Sequence, residues 1–374
     1  VRPTGAGGGF LVPSPFATPQ GAPKGQLIAT QQAVGVTGLI TPWNFPAAMI
    51  TRKVAPALAA GCTAIVKPSE LTPLTAIALK NLSDRAGIPE DVFQLVTASK
   101  STTPKVGTEL CTNPNVRKIS FTGSTRVGKE LMKLSSDTMK RLSLELGGNA
   151  PFIVFDDADM DQAVAAAVAS KFRNTGQTCV CADRFLVHES VFDEFCDRFA
   201  AEARSLKVGD GMDPTCKVGP LITENAAASV DAKVRSAIEA GAECLAGGKP
   251  LHDAGTHFYA PTVLRNVPRS EDLWKTETFG PVACINSFES EEEAIRTAND
   301  VEVGLAGYFC TRDLSRALRC SQRLECGLVG VNEGVISTAV APFGGIKESG
   351  LGREGSPLGM AEYLETKYVY LNTI

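Results

Sequence analysis

From Gln32 onward the chain alternates short apolar runs with longer stretches of helical spacing, and this rhythm restricts the fold more than any other feature. "AVGVTGLI" predicts a strand, "AAMITRKVAPALAA" a helix, "CTAIVK" a strand, "TPLTAIALKNLSDRAG" a helix and "VFQLV" a strand; "VRKISFTGS" then leads into the helical "TRVGKELMKLSS". Strands that alternate with helices imply a parallel sheet with crossover helices, the doubly wound arrangement. Ligands of such sheets sit at the carboxyl ends of the strands. The polar motifs "TPWNFP", "KPSE" and "FTGS" each follow a predicted strand.

After Leu144 the texture changes. "LSLELGGNAPFIVFDDADMDQAVAAAVASKF" reads as strand, Gly-Gly turn, strand and buried helix, and a second alternating series runs to about Val331. The fold class is therefore α/β, with two doubly wound Rossmann-like parallel-sheet domains. The Gly/Pro-rich start "VRPTGAGGGFLVPSPFATPQGAPKGQ" has the composition of an extended arm. The closing "AEYLETKYVYLNTI" has the alternation of a strand, one that could pair with another chain.

Composition narrows the function classes. The 374 residues are 44% hydrophobic, enough to bury large cores, with a net charge of −4. Lys and Arg are scattered, so there is no electrostatic footprint for nucleic acid or an anionic membrane. No apolar run has transmembrane length. The eleven cysteines are odd in number and unclustered apart from Cys179 and Cys181, which favours free thiols in a reducing compartment. Three histidines without a ligand spacing make a metal site unexpected. Most of the other cysteines are expected to be small buried hydrophobes.

Several motifs could carry chemistry. "GSTRVGKE", Gly123 to Glu130, nearly matches the phosphate loop of a nucleotide triphosphatase, with "FIVFDD" as a strand ending in a magnesium ligand. Glu130 stands where a hydroxyl must bind magnesium, so a phosphate site at a helix N-terminus without metal fits better. In "VKPSE", Lys67 and Glu70 could meet a ribose, with Glu70 repelling a 2′-phosphate and so favouring NAD over NADP; a solvated turn is the alternative. A thiol in the polar loop "NTGQTCVC" is a candidate nucleophile. With histidine scarce, Glu145 of "LELGG" is the candidate base, because desolvation in an apolar strand raises a carboxyl pKa; its alternative is a buried ion pair.

"TPWNFP", "VKPSELTP", "FTGS", "LELGGNAP", "FRNTGQTCVC", "TETFGPV" and "PFGGIKESGLGREG", in that order, resemble the aldehyde dehydrogenase superfamily. The resemblance implies that Cys179 is the nucleophile, that Asn44 and the Cys179 N–H hold the oxyanion, and that Glu145 activates water. It implies a nicotinamide cofactor site of Trp43, Lys67, Pro68, Ser69, Glu70, Gly123, Ser124, Gly128, Glu277 and Phe279, taking NAD with NADP possible. "NFPAAMITRK", "SKFRNTGQTCVCA", "NEGVIST" and "PFGGIKESGLGREGS" resemble succinate-semialdehyde dehydrogenases within it. That likeness implies oxidation of succinate semialdehyde to succinate, a step of 4-aminobutyrate degradation, with Arg52, Arg173 and Ser337 on the distal carboxylate. Two guanidinium groups suit a carboxylate held away from the thiol. A glutarate semialdehyde differs by one methylene and stays open.

The resemblance further implies an oligomerisation arm at residues 1–30, an NAD-binding domain at 31–146 whose N-terminal helices are missing, a catalytic domain at 147–350 and an oligomerisation strand at 351–374. A homodimer or homotetramer is expected, in the mitochondrial matrix or the cytoplasm. The missing helices leave an inactive fragment as a further alternative. Cys181 is expected to act as a redox switch, closing a strained, reversible disulfide onto Cys179.

Overall fold

A computed structural model describes residues 9–22 and 24–372; the start of the expected arm, residues 1–8, lies outside the described residues. The chain divides into two compact units. The first comprises residues 1–145, 338–343 and 351–374; the second comprises residues 146–337 and 344–350.

In the first unit the parallel strands run in the order β7-β6-β3-β4-β5. They are β3 (Val36–Ile40), β4 (Thr63–Lys67), β5 (Phe93–Leu95), β6 (Val116–Thr122) and β7 (Arg141–Glu145). Their crossover helices are α1 (Pro46–Ala59), α2 (Pro73–Arg85), α3 (Thr103–Thr112) and α4 (Thr125–Ser135). Helices α1, α2 and α3 begin with proline in their first turn, where a missing N–H costs nothing. Leu39, Val66 and Ile119, from adjacent strands, are wholly buried. Because the strands are parallel, the residues that follow Ile40, Lys67 and Thr122 share one edge with Glu145, the last residue of β7.

The same unit holds a small antiparallel sheet of β1 (Gly9–Val12), β2 (Gln26–Ala33) and β15 (Leu364–Leu371), in the order β1-β2-β15. The C-terminal strand expected to seek another chain pairs with this chain's own β2, from Leu364 opposite Ala33 to Leu371 opposite Gln26. Alternation marks a strand but carries no information about its partner.

The second unit is built on a seven-stranded sheet in the order β10-β11-β12-β9-β8-β13-β14. These are β8 (Ala150–Val154), β9 (Ala182–His188), β10 (Glu243–Ala246), β11 (Thr262–Arg265), β12 (Val282–Phe288), β13 (Ala306–Cys310) and β14 (Leu328–Val331). All neighbours are parallel except the edge pair β10 and β11. Strand β8 is buried from end to end, as an apolar run between two helical layers must be. Helix α5 (Met160–Phe172) is capped by Asp159, whose carboxylate accepts the Gln162 N–H at 3.2 Å. It buries seven of its thirteen residues and delivers the chain to the cysteine loop.

Candidate active site

In the first unit the candidate residues gather at the carboxyl edge of the sheet. Trp43 and Asn44 lie in the turn between β3 and α1, and Arg52 follows inside α1. Arg52 Nη1 makes no hydrogen bond among the described residues; it stands 3.9 Å from Glu354 Oε2, and the guanidinium lies over the Phe343 ring at 4.3 Å. Lys67 Nζ reaches Glu70 Oε2 at 3.5 Å, so the two side chains share one place at the end of β4. Pro68 and Ser69 between them are buried, and Ser69 Oγ accepts the Leu71 N–H at 3.2 Å.

Gly123 donates its N–H to the Glu145 carbonyl at 3.0 Å, which pins the start of the glycine turn to the end of β7. Ser124 caps α4, its Oγ accepting the Val127 N–H at 3.5 Å. Gly128 lies a turn inside that helix and donates to the Ser124 carbonyl. The helix therefore starts at Thr125, and residues 125–129 do not form the wrapped loop that a triphosphate requires. A strand-to-helix turn ending at the positive end of α4 still suits a pyrophosphate.

Glu145 is 2% exposed, and neither carboxylate oxygen has a hydrogen-bond partner among the described residues. Burial first, and the neighbouring Glu354 carboxylate second, push its carboxyl well above the ordinary range. The expected alternative, a Glu tied to a cation, is met next door instead. Lys53 of α1, wholly buried, pairs with Glu354. The motif reading passed over both residues; the only sequence signal was a lysine inside an apolar helical stretch.

In the second unit the loop between α5 and β9 carries Arg173, Cys179 and Cys181. Asn174, Thr175 and Gly176 all take left-handed backbone, at φ 51°, 59° and 73°. For Thr175, β-branched, this costs about 1–3 kcal/mol. The surroundings hold it: Thr175 Oγ1 donates to the Gly219 carbonyl at 3.2 Å, and Gln177 Oε1 accepts the Ile222 N–H at 2.8 Å. Beyond the thiol, the Tyr308 hydroxyl donates to the Val180 carbonyl at 2.7 Å. Cys179 is half-buried, whereas Cys181 is buried and its thiol is pushed up to about 11 by desolvation. Six of the remaining cysteines are buried as expected; Cys244 is exposed, and Cys216 and Cys326 lie between.

Glu277 precedes β12, and its Oε1 accepts the Gly148 N–H at 3.0 Å. Desolvation, opposed by that bond and reinforced by Asp183, pushes its carboxyl up to about 8. Gly148 in turn lies so close to the Cys179 carbonyl that a Cβ there would collide with it. Phe279 and Ser337 are partly buried in the same unit, as is Arg173. Among the described residues no helix is long and apolar enough to cross a membrane.

The Aldehyde dehydrogenase family model matches residues 14–369. The chain is 54% identical to the succinate-semialdehyde dehydrogenase, NADP(+), GabD of Escherichia coli (strain K12), covering 92% of this chain and 70% of that protein. It is 52% identical to the glutarate-semialdehyde dehydrogenase of Pseudomonas aeruginosa, covering 94% of this chain and 72% of the relative. Among solved structures it superposes on an Escherichia coli NADP dependent enzyme with a TM-score of 0.94 and 52% identity, over 98% of this chain and 74% of that one. With the doubly wound sheets, the half-buried thiol and the buried carboxylate, these likenesses make the chain a member of the aldehyde dehydrogenase family.

Proposed function

We propose that this chain oxidises succinate semialdehyde to succinate with reduction of NAD(P)+. The observation that carries the reading is Glu145, a buried carboxylate raised in pKa, whose oxygens have no hydrogen-bond partner among the described residues. Such a group is a base awaiting a water molecule. The succinate-semialdehyde relative at 54% identity supports the substrate.

The Cys179 thiolate attacks the aldehyde carbon and forms a thiohemiacetal, while the Asn44 amide and the Cys179 N–H hold the oxyanion. A bound NAD(P)+ would supply the hydride acceptor for oxidation at that carbon. The thioester left on Cys179 is then hydrolysed: Glu145 takes a proton from water, the hydroxide adds to the carbonyl, and the thiolate leaves. Arg52, Arg173 and Ser337 hold the distal carboxylate of the substrate; Arg52 Nη1, without a hydrogen bond among the described residues, is suited to it.

For the cofactor, Lys67 and Glu70 would bond the adenosine ribose with Pro68 and Ser69 shaping the turn. Gly123, Ser124 and Gly128 would seat the pyrophosphate at the start of α4, and Trp43, Glu277 and Phe279 would take the nicotinamide end. The pairing of Lys67 with Glu70 and the capped start of α4 fit such a group. Residues 31–146 would form the cofactor domain, 147–350 the catalytic domain, and 1–30 with 351–374 the assembly arm of a homodimer or homotetramer. Exposed Phe10 and Leu11 on edge strand β1 suit that arm.

Purified protein given succinate semialdehyde and NAD+ or NADP+ should produce reduced cofactor, and Cys179→Ala should not. The glutarate-semialdehyde relative favours a second reading, because one methylene is worth about 1–3 kcal/mol of discrimination. Comparison of kcat/KM for succinate, glutarate and unsubstituted aldehydes with both cofactors separates the two. Preference for unsubstituted aldehydes would remove the case for Arg52 and Arg173.

A further inference from the structure

Two loops of the second unit carry the residues assigned above to the nucleophile and to the nicotinamide end. The first, residues 173–181, joins α5 to β9; the second, residues 276–281, leads into β12. A buried ion pair with no role in the reaction stands between them. Lys171, in the last turn of α5 and wholly buried, donates to Asp183 Oδ1 at 2.7 Å. Asp183, also buried, turns its other oxygen to the second loop, where Oδ2 accepts the Thr278 N–H at 3.3 Å.

Other contacts close the arrangement into a ring. Ala182 donates its N–H to Ser170 Oγ at 3.2 Å, so both ends of the cysteine loop are tied one residue from the ion pair. Gly176 of the first loop packs on the Gly280 carbonyl of the second so tightly that no Cβ would fit. Gly148 bonds Glu277 on one side and meets the Cys179 carbonyl on the other. Going round, Cys179, Asp183, Thr278, Glu277 and Gly148 return to Cys179.

A buried Lys–Asp pair desolvates two charges, and an apolar pair of similar volume would often pack as stably. An apolar pair lacks the second acceptor oxygen. We propose that Lys171 and Asp183 are positioning residues, in which Lys171 orients the Asp183 carboxylate so that its other oxygen fixes the Thr278 amide, and with it Glu277 and Phe279, against the Cys179 loop. The proposal rests on the assignments of Cys179 and Glu277 made above.

Asp183→Asn retains the shape but offers one acceptor oxygen, which serves Lys171 or Thr278 and not both. The double variant Lys171→Met with Asp183→Leu removes the pair and leaves no buried charge unpaired. Each is measured for Kd of NAD+ and NADP+ by tryptophan fluorescence, for KM and kcat with succinate semialdehyde, for the rate of Cys179 alkylation by iodoacetamide, and for thermal melting.

Both variants are expected to weaken the coenzyme Kd and KM by about tenfold, what a hydrogen bond to a charged acceptor is worth. The kcat should fall by less than about threefold, and alkylation should stay within about twofold of the parent. Coenzyme Kd within twofold of the parent in Asp183→Asn overturns the proposal, whether or not the double variant folds. So does a parallel loss of alkylation and melting temperature, the mark of a merely structural pair. If the parent forms no reduced cofactor and its alkylation is untouched by Cys179→Ala, the active-site assignment has failed, and the proposal falls for that separate reason.

Discussion

Glu145 is buried by the fold, and its carboxylate has no hydrogen-bond partner among the described residues. For Glu145→Gln the expectation is one turnover's worth of reduced cofactor followed by a stall, with steady-state turnover down about 10²–10⁴-fold as for loss of a general base. A stopped-flow burst of unchanged amplitude checks it. The same substitution alters stability with a definite sign. The folded carboxyl titrates above its unfolded value near 4.5, so its contribution is fully present below that pH and is lost as pH rises through the folded value. Glu145→Gln should therefore melt higher than the parent at pH 8 and alike at pH 4. Cys181 belongs to the same scale: if it closes a reversible disulfide onto Cys179, peroxide-treated Cys181→Ala should fail to regain activity with added thiol, while the parent regains it.

At the scale of elements, the strands and the turns after them were legible because period-2 apolar runs and Gly, Pro and Asn punctuation are local signals. Four strand ends of the first unit were placed in this way, and so were the loop of Cys179 and the turn of Gly123. The charged pairs behind them were not legible. Lys53 and Glu354 stand 301 residues apart in the chain and meet only because the short segment after residue 350 returns to α1. Asp183 reads as an ordinary strand residue until its two oxygens are seen bonding to different elements. Glu354→Ala leaves Lys53 buried without a partner and should cost about 3–5 kcal/mol in urea unfolding. Glu354→Gln, gentler to the fold, removes the negative neighbour of Glu145, so the rise of kcat with pH should move to lower pH.

On the scale of the whole molecule, the small antiparallel sheet is what the proposed assembly depends on. Phe10 and Leu11 are 62% and 70% exposed on its edge strand, more apolar surface than an isolated edge tolerates well. Replacing both with lysine should shift sedimentation at micromolar concentration from dimer or tetramer toward monomer, with the melting temperature little changed. The pairing inside this sheet also sets a timetable. Thr30 of β2 bonds to the Lys367 carbonyl, 337 residues further along the chain. At a synthesis rate of ~5–20 residues per second, β2 leaves the ribosome on the order of 20–70 s before its partner strand exists. During that interval its open edge is a place where holding chaperones, or a neighbouring nascent chain, compete with the strand that will finally cover it.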